Sequence, residues 1–129
     1  MPFVTLYVPH GLDDAKLEKC MREIADAGAN TLENTLTRMI RVTVFEADQE
    51  RIYNGGEHTD GINPVVTFRI GPGRSAEAKD SFMAQIADIL HDNLGCPKET
   101  IREYVLDNNG PEHHFCIGGK PKDFTKKVK

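Results

Sequence analysis

The stretch PFVTLYVPHG, from Pro2 to Gly11, decides the fold, because its pattern returns as PVVTFRIGPG from Pro64 to Gly73. Pro64 lies 62 positions after Pro2, and the tripeptide Ile-Ala-Asp recurs at the same spacing, at 24–26 and 86–88. Self-similarity at a fixed period is typical of a duplicated structural unit. The chain therefore reads as two copies of one unit of about 60 residues.

Later matches keep the same order, with slips of one position. Ile40-Arg41 corresponds to Ile101-Arg102, and Gly55-Gly56 corresponds to Gly118-Gly119. The length of 129 residues is enough for one compact domain but not for two independent ones. We expect a single domain over 1–129, with internal repeats at 2–62 and 64–125.

Each unit contains an extended run, a glycine turn, a helical run and a second extended run, which predicts β-α-β. The first helix is expected to begin near Asp13, a good N-cap, and the second at Ser75, with Gly95 and Pro97 at the end of the second. The inward residues of the first helix are expected to be Leu17, Cys20 or Met21, Ile24 and Ala27, and those of the second Phe82, Met83, Ile86, Ile89 and Leu90.

A β-α-β crossover makes the two strands of a unit parallel. The closing strands are predicted at 41–45 and 102–106. The predicted fold class is therefore α/β (α+β), in which two tandem β-α-β repeats form a four-stranded sheet with two helices on one face. The other sheet face then needs a cover, and association of several chains is the usual solution.

Composition excludes several classes of partner. The formal net charge is −4, whereas a nucleic-acid or acidic-membrane surface needs clustered positive charge. The only basic run lies at 120–129 and is expected to be a frayed, solvated terminus. No run approaches the roughly 18 apolar residues of a membrane span, and the first residues read as a strand rather than a signal.

Three cysteines, Cys20, Cys96 and Cys116, form no close pair, which favours a reducing, cytoplasmic location. Cys20 is expected in the core, and Cys116 is only a weak candidate nucleophile. The adjacent His113 and His114 suggest a metal site, but neighbours on a strand point to opposite faces. No metal is expected.

Taken together, these features resemble the 4-oxalocrotonate tautomerase family. Its short subunits begin with proline after the initiator Met, carry a Gly-Arg-Ser turn before the helix and end in a Phe-Gly-Ile-Gly-Gly-like hairpin. This chain looks like two such subunits joined end to end, with Pro2, Gly73-Arg74-Ser75 and the hairpin 115–119 at the matching positions. The resemblance implies an isomerase that needs no cofactor and acts on small carboxylate substrates.

The resemblance also implies roles for individual residues. Pro2 and Arg74 take the catalytic positions, while Arg41, Arg102 and Phe115 take substrate-binding positions. Pro64, the counterpart of Pro2, is acylated within the chain. Leu12 stands where the first repeat would carry its own Arg74, and Ile52 is the counterpart of Phe115.

The chemistry explains these residue types. A general base works best when its pKa lies near the working pH, and a terminal amine starts at about 7.7 to 8.0. Transfer into an apolar site beside cations lowers that pKa further. Arginines bind carboxylates through two parallel hydrogen bonds and can stabilise the charge on an enol oxygen.

Several alternatives remain open. Arg41 and Arg102 could instead pair with Glu46 or Asp107 of a neighbour, and either arginine could face the Pro2 site. Hydratase, dehalogenase or decarboxylase relatives use the same proline, but Gly71 and Ile117 stand where dehalogenases carry an extra arginine and a glutamate. A catalytically silent assembly module would be favoured if Met1 stayed attached. By the resemblance, each fused chain replaces a dimer of a hexamer, so a homotrimer is expected.

Overall fold

The structure, a computed structural model, describes residues 2–107, 116–117, 120–121 and 127–129. Its strands and helices, in chain order, are β1 (Phe3–Pro9), α1 (Asp14–Thr31), β2 (Arg41–Ala47), β3 (Tyr53–Asn54), β4 (Glu57–His58), β5 (Val65–Ile70), α2 (Ala76–Leu94), β6 (Arg102–Asp107), β7 (Cys116–Ile117) and β8 (Lys120–Pro121). Short 3-10 turns at Thr37–Met39, Gln49–Arg51 and Lys98–Thr100 precede β2, β3 and β6.

The main sheet has the strand order β2-β1-β5-β6. β1 pairs with β2 and β5 with β6 in parallel, as the β-α-β pattern predicts. The two units join through their first strands, which are antiparallel, with Phe3 opposite Arg69 and Tyr7 opposite Val65. Consequently the start of β1 lies at the end of the sheet where β5 leads to α2, and the start of β5 lies where β1 leads to α1.

Both helices begin where the sequence predicts. The Asp13 carboxylate accepts a hydrogen bond from the Lys16 N–H at 3.0 Å, and the Ser75 hydroxyl oxygen accepts one from the Ala78 N–H at 3.1 Å. α2 ends at Gly95, whose left-handed φ of 75° is readily adopted by glycine. Among the described helices, none is long and apolar enough to cross a membrane.

One face of the sheet packs against both helices, which confirms the predicted fold class. Alternate residues of β1 and β5 are buried here, and Val4 lies opposite Phe68. The Phe68 ring meets the Phe82 ring of α2 edge to face, with centroids 5.0 Å apart. The buried helix residues include the predicted Leu17, Cys20, Ile24, Ala27, Phe82, Ile86 and Leu90. Met83 and Ile89, also predicted to face inward, are only half-buried against the rim of this core.

The opposite face of the sheet is uncovered within one chain. Tyr7 and Phe45 stack there with ring centroids 5.7 Å apart, and 46% and 55% of their surfaces are exposed. Tyr104 and Leu106 of β6 are exposed as well. We call this surface, formed by the outward-facing residues of β1, β2, β5 and β6, the open face.

Small hairpins follow both units. β3 pairs with β4 around Gly55 and Gly56, both of which have positive φ, and β7 pairs with β8 at the corresponding place in the second repeat. The basic terminus is exposed at 127–129, as expected, but it is anchored rather than frayed. The Val128 N–H donates to Asn34 Oδ1 at 2.6 Å, and the Lys129 ammonium donates to the Ala29 carbonyl at 2.7 Å.

Glu103 is a strand residue whose burial the sequence did not reveal. It lies opposite Val66, on the helix-facing side of β6, at the repeat position that Val42 occupies in β2. Its Oε1 atom is buried and has no hydrogen-bond partner among the described residues. Burial raises the pKa of the Glu103 carboxyl to about 7.

This carboxyl should make stability depend on pH. Between the ordinary glutamate pKa of about 4.5 and the folded value of about 7, the folded chain holds a proton that the unfolded chain releases. Stability should therefore fall as the pH rises through this window. Glu103→Gln should unfold at the same denaturant concentration as wild type at pH 4.5, and gain about 1–2 kcal/mol relative to it above pH 7, a figure discounted for solvent exposure.

Denaturant unfolding across pH 4.5 to 8 measures this difference. Glu99→Gln, which alters an exposed glutamate just before β6, is the matched control and should show no such pH-dependent gain. A gain for Glu103→Gln that is the same at every pH would contradict the account.

Candidate active site

The sheet places Pro2 and Arg41 side by side. The Arg41 N–H donates to the Pro2 carbonyl oxygen at 3.1 Å, where β2 begins alongside β1. The second repeat repeats this arrangement at the opposite end of the sheet, where the Arg102 N–H donates to the Pro64 carbonyl oxygen at 3.0 Å. Within one chain, therefore, Arg41 shares an end of the sheet with Pro2, and Arg102 shares the other end with Pro64.

The two prolines lie in similar surroundings. The Pro2 and Pro64 side chains are both fully buried, with less than 2% of their surface exposed. Pro64 is bonded to Asn63 through an amide, whereas Pro2 follows only Met1, which lies outside the described residues. Burial therefore does not distinguish the two prolines, which differ in their place in the chain.

A cation lies over an aromatic ring of the open face at the Pro2 end. The Arg41 guanidinium carbon lies 5.8 Å from the centroid of the Phe3 ring, within the range of a cation–π contact. Arg69 of β5 pairs with Phe3 from the other side and is exposed. Arg69 was not among the residues predicted from the sequence, because only the β1–β5 register places it opposite Phe3.

Arg74 reaches this end of the sheet from the turn before α2. It follows Gly73, whose φ is 98°, and precedes the N-cap Ser75. Its guanidinium is half-buried and donates through Nε to the Glu33 carbonyl at 3.2 Å and through Nη2 to the Thr35 hydroxyl at 2.9 Å. A longer bond of 3.4 Å runs from Nη1 to the Gly71 carbonyl. All three acceptors are neutral oxygens.

Burial lowers the pKa of the Arg74 guanidinium, and the nearby Glu33 charge opposes this effect. The Glu33 carboxylate itself accepts the Ser75 N–H at 3.1 and 3.2 Å. Burial alone would raise the pKa of Glu33, but the hydrogen bonds from Ser75 outweigh it and leave that pKa below the usual value. No carboxylate in the described part of the chain forms an ion pair with Arg74, and Glu33 acts on it only as a nearby charge.

The carboxylates considered as alternative partners of Arg41 and Arg102 are paired elsewhere in the chain. Glu46 Oε2 lies 3.3 Å from His10 Nδ1, and Asp107 Oδ2 accepts from the Lys79 ammonium at 2.8 Å. Arg102 donates to the Glu99 carbonyl at 2.6 Å. Asp107 thus has a cationic partner within one chain, and Glu46 lies beside an imidazole.

Phe115 lies outside the described residues, but its repeat counterpart has a defined place. Ile52 lines a cavity of about 160 Å³ that opens at the Pro64 end of the sheet. Tyr7, Phe45 and Val65 of the open face line the same cavity. In the first repeat, then, the residue just before the hairpin forms part of an apolar pocket wall.

Other candidate groups add little chemistry. Among the described residues, no group of three potential ligands is arranged to hold a metal ion, and His113 and His114 lie outside those residues. Cys20 is a core residue, as expected, and burial raises the pKa of its thiol to about 11. A thiol of that kind is a poor nucleophile. The side chain of Cys116 is not among those described.

Comparison with known proteins agrees with this geometry. The model of the family "Tautomerase enzyme" matches residues 64–124. A 2-hydroxymuconate tautomerase from Pseudomonas sp. (strain CF600) is 34% identical over 58 residues, which cover 45% of this chain and 89% of that protein. A 2-hydroxymuconate tautomerase from Pseudomonas putida is 33% identical over the same shares of the two chains.

Solved structures match the whole architecture rather than half of it. The crystal structure of a native fused 4-OT superposes with a TM-score of 0.82 at 22% identity, covering 92% of this chain and 94% of that one. A fused 4-OT described as a wild-type asymmetric trimer gives a TM-score of 0.79 at 21% identity, with the same coverage. Identities this low show the fold alone. The sequence match to the 2-hydroxymuconate tautomerases goes further, and on that match the chain belongs to the tautomerase family.

Proposed function

We propose that this protein is a cofactor-independent keto–enol isomerase of small 2-oxo acids and dienol carboxylates, with the amine of Pro2 as its general base. The observation that supports the proposal is the sheet topology: Pro2 and Arg41 are neighbours at the end of the sheet where β5 leads to the turn that carries Arg74. The relatives named as 2-hydroxymuconate tautomerases give the substrate class.

Pro2 is suited to proton transfer once Met1 has been removed. Its ring is fully buried, and desolvation disfavours the protonated form of an amine. The nearby guanidinium groups act in the same direction. A pKa at or below the ordinary 7.7 to 8.0 leaves the free base available near neutral pH. In the proposed reaction the amine takes a proton from the substrate and returns it to a carbon further along the conjugated chain.

The arginines hold the substrate and stabilise charge. Arg74 is half-buried, keeps its charge without an ion-pair partner in the described chain and binds a substrate carboxylate or enolate oxygen. Arg41 lies over Phe3 beside Pro2 and adds positive potential on the open face. The reaction needs no metal or nucleotide.

Arg102 and Phe115 enter the proposal through a neighbouring chain. Within one chain Arg102 lies at the Pro64 end, where the nitrogen is an amide and Leu12 replaces an arginine. We place Arg102 and Phe115 at the Pro2 site of an adjacent copy, where Phe115 supplies an apolar wall like that of Ile52. This arrangement requires an oligomer.

The proposed oligomer is a homotrimer. The exposed Tyr7, Phe45, Tyr104 and Leu106 leave the open face too apolar for a stable monomer. Fused 4-OT proteins of the same fold are described as trimers. The buried free thiols of Cys20 and Cys96 suit the reducing cytoplasm that we propose as its location.

Pro2→Ala and Pro64→Ala form a matched pair for the base. Protein shown by intact mass to lack Met1 should lose about 10²-fold or more in kcat/KM on 2-hydroxymuconate or phenylenolpyruvate when Pro2 is replaced. Pro64→Ala should stay within about threefold of wild type, because an amide nitrogen carries no available lone pair. Equal losses in the two variants, with fold and assembly intact, would exclude the amine base.

Arg74→Ala should weaken transition-state binding of a carboxylate substrate by about 1.5–3 kcal/mol, the range for hydrogen bonds to a charged group. Leu12→Ala changes the repeat-equivalent residue and serves as the control. Comparison of kcat/KM for a carboxylate enol and a neutral enol separates charge recognition from general damage. Equal losses on both substrates, or none, would remove Arg74 from the site.

Light scattering should give about 43 kDa, three times the chain mass of 14.4 kDa. Tyr104→Glu introduces a charge on the open face and should shift the protein toward monomer, whereas Lys19→Glu on the exposed side of α1 should not. A stable wild-type monomer would contradict the trimer and the shared site.

A further inference from the structure

The hydroxyl of Thr35, in the connection between α1 and β2, is the only side-chain acceptor of Arg74 among the described residues. Thr35 is fully buried. We propose that Thr35 is a positioning residue, which sets the guanidinium of Arg74 for anion binding. The inference rests on the proposed function. It means that Thr35, a residue of the first repeat, controls the orientation of Arg74, a residue of the second.

The hydrogen bonds fix the direction in which the hydroxyl points. Thr35 Oγ1 donates to the Glu33 carbonyl at 2.9 Å, so its lone pairs are left for the Arg74 Nη2 donor at 2.9 Å. The same Glu33 carbonyl accepts from Arg74 Nε at 3.2 Å. Two N–H groups of the planar guanidinium thus donate to two oxygens of the same short segment, which belong to Glu33 and Thr35. This pair of hydrogen bonds restricts rotation of the guanidinium.

The segment is itself fastened at two further points. The Glu33 carboxylate accepts the N–H of Ser75, the residue after Arg74. Asn34, which has a left-handed φ of 53°, accepts the N–H of Val128 through its side chain. These contacts join the end of α1, the start of α2 and the C-terminal residues around one arginine.

The second repeat makes the corresponding connection with other side chains. Counting back from the 3-10 turns at Thr37–Met39 and Lys98–Thr100, Thr35 corresponds to Cys96 and Glu33 to Leu94. Asn34 and Gly95, between them, both have positive φ, but the helices end differently, because Leu32 is already extended whereas α2 continues through Leu94.

Where the arginine is absent, its polar neighbours are absent too. Leu12, Leu94 and Cys96 occupy the places of Arg74, Glu33 and Thr35. The polar residues thus occur in the repeat whose turn contacts the arginine, and the hydrogen bonds from Arg74 to Thr35 and to the Glu33 carbonyl support a role for them in holding it. Loss of the Thr35 hydroxyl should therefore act through Arg74, leaving its Nη2 donor without an acceptor in a half-buried place.

A double-substitution cycle tests this directly. Thr35→Val should lower kcat/KM on a carboxylate enol by about tenfold, mainly through KM, and should have little effect on a neutral enol. Thr35→Ser keeps the hydroxyl and should stay within about threefold of wild type. In the Arg74→Ala background, Thr35→Val should cause no further loss. Cys96→Val, at the equivalent place in the second repeat, is the matched control and should leave kcat/KM unchanged.

Denaturant unfolding of wild type, Thr35→Val, Arg74→Ala and the double variant gives a second readout that does not depend on enzymatic activity. Coupling between Thr35→Val and Arg74→Ala supports the positioning role, and additive effects overturn it. Additive losses in kcat/KM, failure of Thr35→Ser to restore activity, or an equal loss in Cys96→Val would also overturn it. A wild-type protein without isomerase activity would refute the proposed function, and the stability cycle would then decide the role of Thr35 alone.

Discussion

The antiparallel pairing of β1 with β5 is the constraint on which the rest of the molecule depends. Because Phe3 lies opposite Arg69 and Tyr7 opposite Val65, the two β-α-β units are related head to tail. The first residue of each unit then meets the turn that opens the helix of the other. Any site built at an end of this sheet must draw on both repeats, and the Pro2 end draws its proline from one and Arg74 from the other.

The two ends share a backbone but differ in chemistry. In the proposed function, in which Met1 has been removed, only the Pro2 end carries a proline amine that can take up a proton near neutral pH. Polar residues have accumulated at that end, where Arg74 is held by Thr35 and by the Glu33 carbonyl. Apolar residues stand at the equivalent places beside Pro64, including Leu12 and Cys96. The two ends thus share a backbone pairing and differ in side chains, and the proposed chemistry uses only the Pro2 end.

Local signals in the sequence were enough for the elements and the core. The Asp13 cap and the Gly95 stop depend on neighbouring residues only, and both are confirmed, while Ser75, the predicted start of the second helix, is its N-cap. Contacts between repeats were not predictable, because two similar units fit a pattern equally well in several registers. Arg69 and the link between Thr35 and Arg74 depend on that register, and the burial of Glu103 depends on the pairing of β6 with β5. The sequence could therefore name Arg41 and Arg102 as candidates but could not assign either to an end of the sheet.

The nitrogen of Pro2 is the most direct test of the central claim. In protein labelled with ¹⁵N-proline, the chain contains seven prolines, and six of them are amides once Met1 has been removed. The account predicts that one proline resonance titrates with a pKa at or below the ordinary terminal-amine value of about 7.7 to 8.0. If no proline nitrogen titrates between pH 5 and pH 9, or if it titrates well above that value, Pro2 is not the base and the catalytic account fails.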